Sequence, residues 1–113
     1  MSVSAPFTPT GNTVVIAVTT SASSAVQVPS ASAGGNQYRI INGSTTQGLF
    51  LSYGQTATTA QANCVIPTAG NSTTTLYVLP NTDEILTFVP GAYFAAIASA
   101  NTATLYIVPG DGD

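Results

Sequence analysis

Residues 74–81 read Thr-Thr-Leu-Tyr-Val-Leu-Pro-Asn, and this stretch decides the fold class. Thr, Leu, Tyr and Val suit a pleated strand, and the Pro-Asn pair ends it, because Pro presets φ and Asn accepts a positive φ. A half-solvated strand alternates apolar and polar residues. Here both registers are apolar, with Leu76 and Val78 on one side and Tyr77 and Leu79 on the other. The frame Thr-Leu-Tyr-x-x-Pro returns as Thr104-Leu105-Tyr106-Ile107-Val108-Pro109, so that Thr75 and Thr104 stand 29 residues apart. Two copies are too few for a solenoid. They read as two strands with equivalent jobs in the two halves of a sandwich.

Working outward, short β-branched or aromatic runs bounded by Gly, Pro, Asn or Ser predict strands over Thr13–Thr19, Ala25–Val28, Gln37–Ile41, Leu49–Tyr53, Asn63–Ile66, Thr74–Leu79, Glu84–Val89, Tyr93–Ala98 and Thr104–Val108. Asn42-Gly43, Pro80-Asn81, Pro90-Gly91 and Pro109-Gly110 read as turn pairs, Ser44–Gln47 as a polar turn and Ser30–Asn36 as a flexible loop. Ala92–Ala100 is the one stretch with a helical look, but Pro90-Gly91 opens it and Asn101-Thr102 closes it, which favours a strand. No segment sustains a 3.6-residue period. The expected architecture is all-β, a single antiparallel β-sandwich over residues 13–113, with strand count and spacing common to jelly-roll and immunoglobulin-like windings. Residues 1–12, with Pro6, Pro9 and a lone Phe7, read as an extended or flexible N-terminal arm.

Composition then excludes functions. The chain of 113 residues has one cation, Arg39, and four acids, Asp83, Glu84, Asp111 and Asp113; 18 Thr, 11 Ser and 16 Ala take the place of charge. Charged residues make up 4%, against about 25% in ordinary domains. One Arg cannot drive the counterion release on which nucleic-acid binding depends, and no apolar run approaches the ~20 residues of a membrane helix. Neither nucleic acid nor membrane is an expected partner. His, Lys and Trp are absent, which removes the commonest general base and the Schiff-base amine. No enzyme, catalytic residue, cofactor or metal is expected. Cys64 stands alone and reads as a small buried hydrophobe. The N-terminus lacks a basic segment and a long apolar run, so the protein is expected to be made and used without Sec export.

The candidate chemistry is sparse. Asp83 and Glu84 are adjacent, so on a strand they point to opposite faces and cannot act as the paired carboxylates of a glycosidase. Asp111 and Asp113 lack the other oxygen ligands of a calcium loop. Arg39 needs an acidic partner, either Asp83 or Glu84 within the chain or an acid on another chain. What remains is surface. A small two-layer fold has one inner face per sheet, whereas Leu49 and Leu51 oppose Phe50, Leu76 and Val78 oppose Tyr77, and Leu105 and Ile107 oppose Tyr106 and Val108. The second face must be covered by something or remain an interaction patch. Tyr53, Tyr77 and Tyr106, with Phe50 and Arg39, are the expected interface residues, and Phe7 the expected anchor of the arm.

The frame Tyr38-Arg39-Ile40-Ile41-Asn42, Leu49-Phe50-Leu51-Ser52-Tyr53-Gly54, Tyr93-Phe94-Ala95-Ala96-Ile97, Ala103-Thr104-Leu105-Tyr106-Ile107 and the closing Pro109-Gly110-Asp111-Gly112 resembles the small all-β proteins encoded beside the major capsid protein in tailed bacteriophages. These are similar to jelly-roll capsid decoration, or cement, proteins. The resemblance spans about residues 13–112 and implies a jelly-roll-like sandwich and a structural virion protein on the capsid surface. Such a protein is made and assembled in the bacterial host cytoplasm. Its implied partners are the major capsid protein, whose neighbouring subunits it would bridge, and further copies of itself in a homodimer or homotrimer. Two other classes compete. One is a carbohydrate- or receptor-binding sandwich module of a phage tail or spike, and the other is a secreted or pilus-like structural subunit.

Overall fold

The computed structural model describes residues 8–28 and 36–111. Nine strands and one short helix follow in the order β1 (Thr8–Pro9), β2 (Val14–Val18), β3 (Val26–Gln27), β4 (Gln37–Asn42), β5 (Leu49–Gly54), α1 (Ala57–Asn63), β6 (Thr75–Val78), β7 (Asp83–Thr87), β8 (Tyr93–Ile97) and β9 (Ala103–Asp111). They form two antiparallel sheets packed face to face. The larger runs β1-β9-β4-β7, with β2 beside β1 on the same side of β9; the smaller runs β3-β8-β5-β6. The pairs are nested. β5 pairs with β6, β4 with β7, β3 with β8 and β2 with β9, so from β2 onward the chain is one long hairpin folded over on itself. Two further pairings, β4 with β9 and β5 with β8, close each sheet.

The core lies between the sheets. Ile16, Val18, Tyr38, Ile40, Leu105 and Ile107 of the larger sheet meet Leu49, Leu51, Val78, Phe94 and Ala96 of the smaller, all buried. At its centre the rings of Tyr38 and Phe94 meet edge to face, 4.9 Å apart at 69°, a geometry that adds to the area both bury. The Tyr38 hydroxyl donates to the Val89 carbonyl (2.5 Å) and accepts the Ala92 N–H (3.1 Å). It thereby clasps the Pro90-Gly91 turn, where Gly91 takes φ +67°. Pro80-Asn81 is also a turn, with Asn81 at φ +57°.

Eight of the nine expected strands form, and Ala92–Ala100 contains β8 as expected. Several details differ. Asn63–Ile66 is no strand: Asn63 ends a helix, and Cys64–Pro67 is irregular. Thr56 caps that helix by accepting the Thr59 N–H at 3.2 Å, and Ala57, Ala60 and Ala62 favour it. The decisive factor is tertiary. α1 docks on the outer face of the smaller sheet, where Ser52, Gly54 and Ala95 are small enough to receive it; a methyl on Gly54 would stand 2.8 Å from the Ala60 nitrogen. The Ser52 hydroxyl sits 2.8 Å from the Ala60 carbonyl and 3.1 Å from that of Ala95. Cys64, beside it, is buried as expected, and burial pushes its thiol pKa up.

Asn42-Gly43 is no tight turn. Asn42 ends β4 with a buried side chain that donates to the Gln47 carbonyl (2.8 Å) and accepts the Ser44 N–H (2.9 Å), tying up the polar loop 43–48. Pro109-Gly110 lies inside β9, paired with Tyr38 and Gln37. A strand tolerates Pro where no ladder bond is required. The Pro109 carbonyl accepts the Thr10 N–H at 2.9 Å, so its missing N–H falls on the same side, in the gap between β2 and β1. The expected arm is therefore in part a strand, with Thr8 and Pro9 paired to Asp111 and Gly110. Residues 1–7, and most of the Ser30–Asn36 loop, lie outside the described residues.

Replacing Tyr38 by Phe keeps the ring but strands the Val89 carbonyl and the Ala92 N–H. Denaturant unfolding is expected to register a loss of about 1–3 kcal/mol. Burial raises the Tyr38 phenol above its ordinary value of 10.0. The folded state then holds this proton more tightly than the unfolded one, so its contribution is complete below pH 10 and drains away above it. The Phe variant should lose this alkaline component, and an identical pH dependence of stability in both proteins would contradict the burial of the phenol.

Candidate functional site

Register decides which expected interface residues share a surface. Tyr53 lies on the register of Phe94 and so points inward; half-buried against the core, it meets Phe88 edge to face at 5.1 Å. Phe50 and Tyr77 are cross-strand partners on the outer face of the smaller sheet, their rings 4.7 Å apart and tilted by 46°. Tyr106 and Arg39 lie on the outer face of the larger sheet, on the other side of the sandwich. Phe7 lies outside the described residues. The structure thus divides the other five among three places and does not assemble them into one site.

Both tyrosines of the repeated Thr-Leu-Tyr frame do the same local job. A methyl on Gly43 would stand 2.9 Å from the Tyr106 ring, and one on Gly48 would overlap the Tyr77 hydroxyl. Each Tyr packs closely against a glycine of a neighbouring segment, while Leu76 or Leu105 beside it faces the core. The glycines are needed for close approach, since neither has a positive φ.

The surface with the most exposed apolar side chains in register is the outer face of the larger sheet. One row runs Val15, Tyr106, Ile41, Asp83 across β2, β9, β4 and β7, and the next runs Val108, Arg39, Ile85. Val15 is 56% exposed, Ile85 50% and Tyr106 36%; Ile41 and Val108 are half-buried. Arg39 reaches diagonally to Asp83, its Nε donating to Oδ2 at 3.0 Å and its Nη2 also bonding that oxygen. This resolves the Arg39 question in favour of Asp83 within the chain. Both side chains remain about half exposed, so the pair fixes direction on the face more than it stabilises the fold.

Charge is segregated. Residues 43–82 and 85–110 contain no Asp, Glu, Lys or Arg, so the smaller sheet and α1 carry none. Arg39, Asp83, Glu84 and Asp111 all belong to the larger sheet. Among the described residues no three His, Cys, Asp or Glu cluster, and no helix is long and apolar enough to cross a membrane. Val15, Ile41 and Ile85 were not among the residues expected on this face from sequence, whereas Val108 already shared the side of Tyr106 by alternation. Each of the three lies in a run that reads as strand, but only the register reveals that they line up beside Tyr106.

No family model matches the chain, and no match was found among curated proteins or solved structures.

Arg39→Met and Asp83→Asn are each expected to change unfolding free energy by less than about 1 kcal/mol, because a half-exposed pair is screened and entropically costly. A loss of several kcal/mol in either variant would mean that the pair is structural and not a feature of an open face.

Proposed function

We propose that this protein is a structural subunit of a virion, a capsid decoration protein that docks the outer face of its larger sheet on neighbouring major capsid subunits and holds them together. One observation carries the reading: that face aligns Val15, Tyr106, Ile41, Val108 and Ile85 in two adjacent rows, and among the described residues the charged side chains in those rows are the mutually paired Arg39 and Asp83. Exposed apolar side chains in register are costly in water and favourable against another protein. A modest contact suffices where the same bridge recurs around a shell, since many must open together for the shell to fail. The nested pairing of β2 with β9, β3 with β8, β4 with β7 and β5 with β6 supports reading the sandwich as a jelly roll.

A second reading draws on the exposed Tyr77 and its half-buried partner Phe50 on the smaller sheet, which offer an aromatic platform on which a sugar ring of a receptor glycan would stack. Binding of the purified chain to a glycan array would favour it.

Co-sedimentation with undecorated capsids, followed by heating, separates the two readings. The wild-type chain is expected to pellet with the shells and raise their rupture temperature. Ile85→Lys places a charge in the face at a half-exposed position and is expected to weaken binding about tenfold, ~1.4 kcal/mol. Unchanged rupture temperature and no pelleting would refute the proposal.

A further inference from the structure

We propose that two copies of this chain pair through the free edge of β2, antiparallel about a two-fold axis beside Ile16, so that their larger sheets become one continuous sheet. β2 bonds to β9 on one side, and among the described residues no strand pairs with its other side. Its five residues, Val14-Val15-Ile16-Ala17-Val18, include no charge, proline or glycine. A flat apolar edge of this kind is a template for another strand unless something blocks it.

The other edges are blocked or short. β7, at the opposite side of the same sheet, carries Asp83 and Glu84, and Glu84 lies on the register of Ile40, turning a charge toward the core side of the edge. An inward-turned edge charge of this sort deters strand addition. β1 has two residues and includes a proline, β3 has two residues and β6 has four. β2 alone combines length with the absence of any deterrent.

The occupant follows from the strand's own pattern. Centred on Ile16, an antiparallel second copy sets Ile16 against Ile16, Val14 against Val18 and Val15 against Ala17. On the inner side this extends the core past Val14, which is half-buried at the rim; on the outer side it covers part of Val15, which is 56% exposed. Every facing pair is apolar, five of the six side chains in these three pair types are β-branched, and no like charges oppose each other. β2 itself carries no charge, and Asp111 ends β9 four residues beyond Ile107, the partner of Val14. β7, with its two acids, is three strands away, roughly 14 Å at ~4.8 Å per strand, beyond the ~8 Å screening length of physiological salt. A pilin-like donor strand or a capsid segment would lack this self-complementarity, and the test below registers either as a monomer. The pairing does not depend on shell binding: a dimer indifferent to capsids leaves it intact, and a capsid-binding monomer removes it alone.

Sedimentation equilibrium from micromolar to millimolar chain is the test. Wild-type protein is expected to rise with concentration to twice 11.4 kDa. The doubly substituted chains Val15→Lys/Ala17→Lys and Val15→Glu/Ala17→Glu are each expected to stay monomeric, because like charges face each other across the axis. An equimolar mixture should dimerise, since each Lys then meets a Glu. Ile85→Lys, at the blocked edge, should leave the wild-type mass unchanged. A wild-type monomer at every concentration overturns the proposal, as does a dimer that survives in either homogeneous double variant. Should the double variants fail to fold, amide exchange on the wild-type chain decides: slowing in β2 alone with rising concentration supports the pairing, and concentration-independent exchange refutes it.

Discussion

Two sheets pressed together have two inner faces and two outer ones, and this chain carries apolar side chains for more than the inner pair. That surplus governs the rest of the structure. Inside, the accounting is complete, with Tyr38 and Phe94 at the centre and no buried side-chain polar atom among the described residues left without a partner. Outside, water would have to solvate Val15, Tyr77, Leu79, Ile85 and Tyr106, with almost no charge nearby to keep copies apart.

The fold covers part of the excess itself. α1 shields part of the smaller sheet's outer face, resting on Ser52, Gly54 and Ala95, and elsewhere on that face the Phe50 and Tyr77 rings pack together, with Gly48 against Tyr77. The larger sheet has no such cover among the described residues. Tyr106 packs against Gly43, but the row of Val108, Arg39 and Ile85 beside it is left uncovered, with Arg39 to Asp83 its one ion pair among the described residues. The two sides of the sandwich therefore differ in kind: one is uncharged and covered in part by its own helix, the other holds the charge and a face without such a helix. That asymmetry gives the molecule a direction.

Much of this was legible in the sequence, and the remainder shows what sequence withholds. Strands such as Leu49–Gly54 and Tyr93–Ile97 follow from β-branched and aromatic runs between turn residues, because local sterics and burial there point the same way. The apolar second register of Tyr77 and Tyr106 was also readable, as was the need to cover it. The helix at Ala57–Asn63 was not, since Ser52 and Gly54 form a surface for it with Ala95 only once β5 pairs with the distant β8, and Pro109-Gly110 mimics a turn whose place in β9 depends on the break between β1 and β2. Which of the expected interface residues share a surface is decided by register. Tyr53, Tyr77 and Tyr106 look equivalent in sequence, yet pairing sends Tyr53 inward and the other two to opposite faces. A shift of one residue in either partner would reverse such an assignment.

The most direct measurement of whether the open face exists to be covered is hydroxyl-radical footprinting of the free chain and of the chain bound to a capsid shell. The account predicts that Tyr106, Ile41 and Ile85 oxidise readily in the free protein and are protected together on assembly, while Tyr77 and Leu79 on the other sheet change little. Equal oxidation of Tyr106, Ile41 and Ile85 in both states, or protection confined to Tyr77 and Leu79, would contradict it.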